Sequence, residues 1–382
     1  LNDVPLSLYV HIPWCIKKCP YCDFNSHEIQ NTLPEEQYID ALILDLKSHI
    51  KDVNGRKVTS IFIGGGTPSL FSAKSIQLLI STINNLLKLD DDVEITIEAN
   101  PGTTDQKNFS GFREAGVNRI SIGAQSFADS QLQLLGRIHD AQTARDSVHA
   151  AQQAGFENIN IDLMYALPQQ DLAAATDDIE QAIALNPTHI SYYQLTIEPN
   201  TSFYRQPPRL PDSQLSWKIQ QAGMQLLATQ GYQQYEVSAY AKQGYQCVHN
   251  TNYWQFGDYL GIGAGAHQKL SLSVPNSIFR CEKPKHPQQY MRYINDEKVT
   301  HDAHTLSEQD IIFEFMLNAL RLKRGFTTQQ FELHTGLSIE KINQSLQTHI
   351  TEGLLIQNKN RIYCSERGYG FLDNVLQNWL PS

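Results

Sequence analysis

The chain has 382 residues, 41% of them hydrophobic and 18% charged, with 30 Lys and Arg against 40 Asp and Glu and a formal net charge of −10. That length exceeds one ordinary domain and falls short of three, so one large domain with a smaller companion is expected. No run approaches the roughly 18 consecutive apolar residues of a membrane helix, and the first residues lack the basic-then-apolar order of a signal peptide, so a cytoplasmic protein is expected; the acidic balance disfavours nonspecific attraction to nucleic acid or anionic lipid.

Short β-branched runs alternate with amphipathic stretches through the first 200 residues, the pattern of strand–helix units with a parallel sheet. Six strands are predicted, at Ser7–Ile12, Val58–Ile63, Val93–Ala99, Arg119–Ala124, Asn158–Met164 and His189–Ile197. Helical segments such as Glu35–Ile50, Ala73–Leu87 and Ala141–Gln153 follow them. The order predicts an α/β fold, a partial (β/α)6 TIM-like barrel, in which chemistry gathers just past the carboxyl ends of the strands. Pro207, Pro208 and Pro211 then break the rhythm, and a helix is expected from Asp212 to about Thr229.

From Tyr232 to Arg280 aromatics and glycines accompany strand-like runs. From Leu306 onward three helical segments precede the short runs Leu354–Gln357 and Arg361–Cys364, the order of a winged-helix-like α+β domain. Residues 301–382 carry seven Lys and Arg against nine Asp and Glu, so no basic face for DNA is implied and a lid or partner surface is expected. Phe313, Phe315 and Leu317 to Leu320 read as core of that part. The expected division is 1–235, 236–300 and 301–382.

Cys15, Cys19 and Cys22 crowd into one stretch, whereas Cys247, Cys281 and Cys364 stand alone. A reducing cytosol argues against disulfides, so the cluster points to metal or redox chemistry. Three thiolates on one loop after the first strand can grip an iron–sulfur cube and leave one iron open to an outside ligand. The competing reading is a zinc loop with His11 or His27 as fourth ligand, although no matching second Cys pair exists.

The motif Cys15-x-x-x-Cys19-x-x-Cys22 in this position resembles that of the radical S-adenosylmethionine (SAM) superfamily. The resemblance implies a [4Fe–4S] cluster whose open iron is chelated by the amino and carboxylate groups of SAM. One electron from the cluster then cleaves the sulfonium to a 5′-deoxyadenosyl radical, the protein supplying binding, orientation and exclusion of water. Tyr21 stands where the superfamily places an aromatic against the adenine. Gly64-Gly65-Gly66-Thr67-Pro68 follows the second strand, where the superfamily binds the methionine amino group; alone it would be only a tight turn. Glu98 ends the third strand, where a ribose or ammonium group could be held, and alone would read as a solvated strand-end residue.

Gln125, Arg137 and Asp162 continue the series of strand-end residues, offering an amide, a guanidinium for carboxylate and a carboxylate. With Tyr9 they resemble the oxygen-independent coproporphyrinogen III oxidases and their relatives. That family can take a second SAM, to which Gly66, Thr67, Gln125, Arg137 and Asp162 would correspond. Two departures separate the chain from the oxidases: Phe24 stands where they carry a fourth cysteine, and fourteen residues precede Cys15 where they carry a longer extension. Both are similar to the HemW-type haem chaperones, as are His11-Ile-Pro-Trp-Cys, Cys-Pro-Tyr-Cys-Asp-Phe-Asn-Ser-His and Tyr-Gln-Leu-Thr-Ile-Glu-Pro-Asn-Thr.

His249-Asn-Thr-Asn-Tyr253-Trp254 matches the His-Asn-x-x-Tyr-Trp signature of these chaperones, which implies haem binding by His249, Tyr253 and Trp254. An imidazole among aromatic walls suits haem, against the plainer reading of a histidine satisfied in an aromatic core. Cys247 is either a thiolate ligand or a buried small residue. Gly261-Ile-Gly-Ala-Gly-Ala-His267 is no dinucleotide fingerprint, because it opens no first strand–helix unit; in the related oxidases this stretch approaches SAM, which would make Ala266 and His267 its neighbours.

The resemblance implies a haem chaperone that binds haem, a [4Fe–4S] cluster and SAM. Its partners would be haem-accepting clients such as membrane-bound respiratory enzymes, with a haem-dependent homodimer and no nucleic acid. No catalytic residue is assigned. The rivals are coproporphyrinogen III oxidation and, less in keeping with the charge, a DNA-binding iron–sulfur sensor.

Overall fold

The structure, a computed structural model, describes residues 4–53, 55–102, 106–272, 277–294 and 301–381. Its apolar runs become one sheet. β1 (Leu6–Ile12), β2 (Lys57–Gly65), β3 (Lys88–Ala99), β4 (Arg119–Gln125), β5 (Asn158–Tyr165) and β6 (His189–Gln194) lie side by side in chain order, each parallel to the next. All six expected strands form, although β3 starts at Lys88 and β6 stops at Gln194.

The helices α1 (Glu35–Ser48), α2 (Ala73–Leu86), α3 (Gln106–Glu114), α4 (Ala141–Gln153) and α5 (Leu172–Ala184) carry the chain between these strands. Ser72, Asp140 and Asp171 cap α2, α4 and α5 by accepting a backbone N–H three residues on. Each such cap contributes about 1 kcal/mol. Between sheet and helices lies a core that includes Leu8, Val10, Ile61, Ile63, Ile97 and Ile122, each buried completely.

Past α6 (Ser213–Thr229), capped by Asp212, the chain extends the same sheet at both sides. β7 (Gln233–Glu236) and β8 (Ala239–Ala241) add antiparallel next to β6. The short helix α7 (Val248–Trp254) leads into β9 (Asp258–Ile262), which lies parallel to β1, pairing Leu6 with Asp258 and Val10 with Ile262. β10 (His267–Leu272), β11 (Ser277–Glu282) and β12 (His301–Thr305) continue antiparallel from it. The order is β12-β11-β10-β9-β1-β2-β3-β4-β5-β6-β8-β7, an open twelve-stranded sheet with the six-unit partial barrel inside it and no closed ring. Residues 236–300, read as a connecting segment, thus supply strands on both sides of the sheet; residue 300, the expected junction, lies outside the described residues.

Three helices, α8 (Glu308–Ala319), α9 (Thr328–Thr335) and α10 (Glu340–Thr351), then precede a three-stranded sheet of β13 (Phe326–Thr327), β15 (Arg361–Cys364) and β14 (Leu355–Asn358), β13 lying between α8 and α9 in the chain. A capping box of Ser307 and Asp310 starts α8. Phe315 packs edge-on against Phe256, Phe326 and Phe331, so the second core draws in a residue from the turn before β9. Ala319 and Leu320 are buried as expected, Phe313 packs at the border of this core, and Leu317 is exposed.

Candidate functional site

The three-cysteine loop leaves the carboxyl end of β1. Trp14–Cys15 pairs with His27–Glu28, which closes the loop at its base. Gly66 donates its N–H to the Ile12 carbonyl and Thr67 to the Trp14 carbonyl, at 2.8 and 2.7 Å. Inside the loop Cys22 N–H reaches the Cys19 carbonyl, and the Lys18 ammonium donates to the Phe24 carbonyl. Asn25 donates its amide to the carbonyls of Ala264 and Lys285, both at 2.9 Å, which fastens the loop to the glycine-rich segment and to the chain after β11.

Around this loop one cavity gathers Cys15, Cys19, Cys22, Tyr21, Gly65, Gly66, Thr67, Glu98, Gln125, Arg137 and Asp162. Residues predicted from five separate strand ends therefore meet. Gly65 has φ +117, and a Cβ there would strike the His11 ring at 2.6 Å, so only glycine fits this approach. Glu98 accepts the Gly65 N–H at 3.0 Å. Burial, with the charge of Asp162 beside it, pushes the Glu98 carboxyl up to about 8. Asp162, also raised by burial, accepts hydrogen bonds from Ser121 and Asn160.

Gln125 sits at φ 68, a left-handed conformation rare for a residue with a side chain, and accepts a hydrogen bond from Tyr193 at 2.6 Å. Such a conformation at a strand end often accompanies a binding site. Arg137 donates to Asn100, to the Gly123 carbonyl and to the Cys19 sulfur, and its Nε has no partner among the described residues. Thr67 donates to the Cys15 sulfur at 3.5 Å. Asn100, Ser121 and Tyr193 also line the cavity and were missed; Asn100 stands two residues past Glu98, where the strand-end rule could have found it.

A larger cavity of about 710 Å³ opens beside the first, and both are lined by Phe24, Ser26, Gly65 and Glu98. Tyr9 lines this cavity, with Gly65 and Glu98, and not the first one, and it shares a hydrogen bond with His11 Nδ1 at 2.9 Å. Tyr253 and Trp254 of α7 form its wall with Tyr259 of β9. His249 lines neither cavity: it is 1% exposed and uses both ring nitrogens, Nδ1 with Ser60 at 3.0 Å and Nε2 with the Tyr253 hydroxyl at 2.9 Å. Burial, then the charge of Arg119, holds its pKa down at about 3, so the ring is neutral.

Cys247 is fully buried at the N-terminus of α7, its thiol facing Glu94 at 3.5 Å, and burial raises its pKa to about 12. It faces neither cavity, which favours the structural reading. His267, expected near SAM, lines the larger cavity, whereas Ala266 is buried. Lys18, Lys269, Arg280 and Lys285 line the larger cavity, the last three ion-paired with Asp258, Glu314 and Glu282, and neither Arg280 on β11 nor Lys269 on β10 carried a motif that could have announced it.

Residues 9–182 match the model of the radical SAM superfamily, and residues 306–371 match that of the HemN C-terminal domain. The heme chaperone HemW of Haemophilus influenzae is 48% identical over 98% of this chain and 98% of its own length. The chain belongs to the HemW family. The HemW of Escherichia coli is 47% identical over the same shares. Among solved structures, coproporphyrinogen III oxidase HemN from Escherichia coli superposes with a TM-score of 0.83 at 23% identity, covering 99% of this chain and 91% of that one, which is a likeness of fold.

Membership of the HemW family within the radical SAM superfamily implies a [4Fe–4S] cluster and SAM. The residues present fit that pair. Cys15, Cys19 and Cys22 are free thiols opening on one cavity. His11, the first zinc-ligand alternative, is committed through Nδ1 to Tyr9 and through Nε2 to the Asn25 carbonyl. Among the described residues no three His, Cys, Asp or Glu side chains are grouped closely enough to hold a single metal ion. Among the described residues no helix is long and apolar enough to cross a membrane.

Proposed function

We propose that this chain is a haem chaperone that takes up haem in the larger cavity, beside an iron–sulfur and SAM site, and passes it to haem-requiring proteins, respiratory enzymes of the membrane among them. The observation that carries the reading is the shared wall of the two cavities: Gly65 and Glu98 belong to both, so cargo in one lies against the cofactor site of the other.

In this reading Cys15, Cys19 and Cys22 hold the cluster, and SAM on the open iron supplies radical chemistry when bound. Gly65, Gly66 and Thr67 offer backbone groups to its amino acid part. Glu98 takes a ribose or ammonium group, and Tyr21 lies against the adenine. Gln125, Arg137 and Asp162 supply the amide, guanidinium and carboxylate for its polar groups, or for those of a second SAM. Tyr253 and Trp254 wall the haem, with Tyr9 on the same cavity. His249 acts from behind the wall, fixing the Tyr253 hydroxyl. Residues 1–235 are the radical SAM part, 236–300 bring the haem motif, and 301–382 form the winged-helix-like companion, whose Asn318 reaches the larger cavity.

The names of the relatives and the aromatic wall of the cavity support binding of an apolar macrocycle. Anaerobic incubation of the reconstituted protein with coproporphyrinogen III, SAM, a one-electron reductant for the cluster and an electron acceptor tests the boundary with the oxidases. The chaperone reading expects no protoporphyrinogen, and sustained turnover would refute it as the sole function.

A further inference from the structure

We infer that His267 takes the iron of haem in the larger cavity, with Glu282 behind it as the carboxylate that orients the imidazole; this rests on the haem-binding reading above. Of the histidines at this cavity, His11 spends both nitrogens on Tyr9 and Asn25, and His27 turns Nε2 to the Lys285 carbonyl at 3.3 Å. His249 is enclosed behind the wall with both nitrogens bonded. His267 differs. It opens β10 with 63% of its side chain exposed, and it makes no hydrogen bond among the described residues.

A second observation comes from the sheet. His267 and Glu282 are cross-strand partners on β10 and β11, which brings Glu282 Oε1 to 3.8 Å from His267 Nε2. That oxygen is buried and accepts no hydrogen bond, although the Lys285 ammonium forms an ion pair with it at 3.1 Å. A carboxylate behind an imidazole fixes the ring and raises its basicity, the arrangement in which protein histidines commonly hold metals. With a carboxylate oxygen 3.8 Å from its Nε2 and no hydrogen bond of its own, the His267 imidazole keeps Nδ1 for a metal at a cavity of about 710 Å³.

The test is a haemin titration of the full chain with reconstituted cluster, comparing wild type with His267→Ala, His249→Ala and Glu282→Gln. The wild type is expected to give a saturable Soret shift. His267→Ala should bind roughly tenfold or more weakly, with its Soret band displaced, and added free imidazole should restore the wild-type band. Glu282→Gln should weaken binding by about tenfold while keeping the band position. His249→Ala should keep the band position. Circular dichroism and cluster absorbance report whether each variant is folded, and His267→Gln serves the same comparison where the alanine variant is not.

Wild-type binding with an unchanged Soret position and affinity in folded His267 variants would overturn the inference. So would a band displaced, and rescued by imidazole, in His249→Ala instead. A wild type that shows no saturable shift would defeat the haem-binding reading itself, and the ligand assignment with it.

Discussion

At Gly66 an added Cβ would sit 2.5 Å from the Trp14 carbonyl oxygen, part of the backbone that closes the cysteine loop and accepts the Thr67 N–H. A carbonyl in that position cannot swing aside as a flexible side chain could. Gly66→Ala is therefore expected to destabilise the chain by about 1–3 kcal/mol and to lower the iron bound after reconstitution, measured by denaturant unfolding and iron analysis. Glu98 offers a different test. Its carboxyl keeps its proton to about pH 8, through burial and Asp162, with Arg119 working the other way and Tyr9 close by.

An unfolded Glu titrates near 4.5, so the folded state holds this proton the more tightly. The stability it brings is full below that value and is lost as pH rises through about 8. Glu98→Gln removes this dependence. The metal-free variant should melt increasingly above wild type between about pH 5 and about pH 9, and parallel melting curves across that range would contradict the assignment. The strand-end residues were legible because their chain order follows the sheet order. At His249 the motif showed the aromatic company but not that Ser60 and Tyr253 would occupy both ring nitrogens.

The glycine-rich segment after β9 is held by a buried polar network rooted in α1. Asp45 accepts from the Lys283 ammonium at 2.7 Å, from the Tyr290 hydroxyl at 2.8 Å and from the Gly263 N–H at 3.2 Å. Tyr38 donates to the His11 carbonyl and accepts the Ala264 N–H, which ties the segment to the end of β1. Lys283→Met would take the ammonium from the buried Asp45 and leave it His49 as its cationic partner, and a loss of about 3 kcal/mol in denaturant unfolding is expected. The six parallel strands could be read from apolar runs at regular spacing. The insertion of β9 beside β1 could not, because its partner lies at the other end of the chain and nothing local in Asp258–Ile262 names Leu6–Val10.

The whole molecule places an aromatic-walled cavity against a three-cysteine site on one rim of an open sheet, with the C-terminal module contributing Asn318 to that cavity and Phe256 joining the two cores. The haem-chaperone account is tested most directly by titrating haemin into the full chain with reconstituted cluster and following the loaded protein as an apo-haem acceptor is added. The account predicts a Soret shift that saturates near one haem per chain, then a transfer of that haem to the acceptor seen as growth of the acceptor's own spectrum. A linear, unsaturable absorbance rise, or a loaded protein that never yields haem to any acceptor, would contradict it.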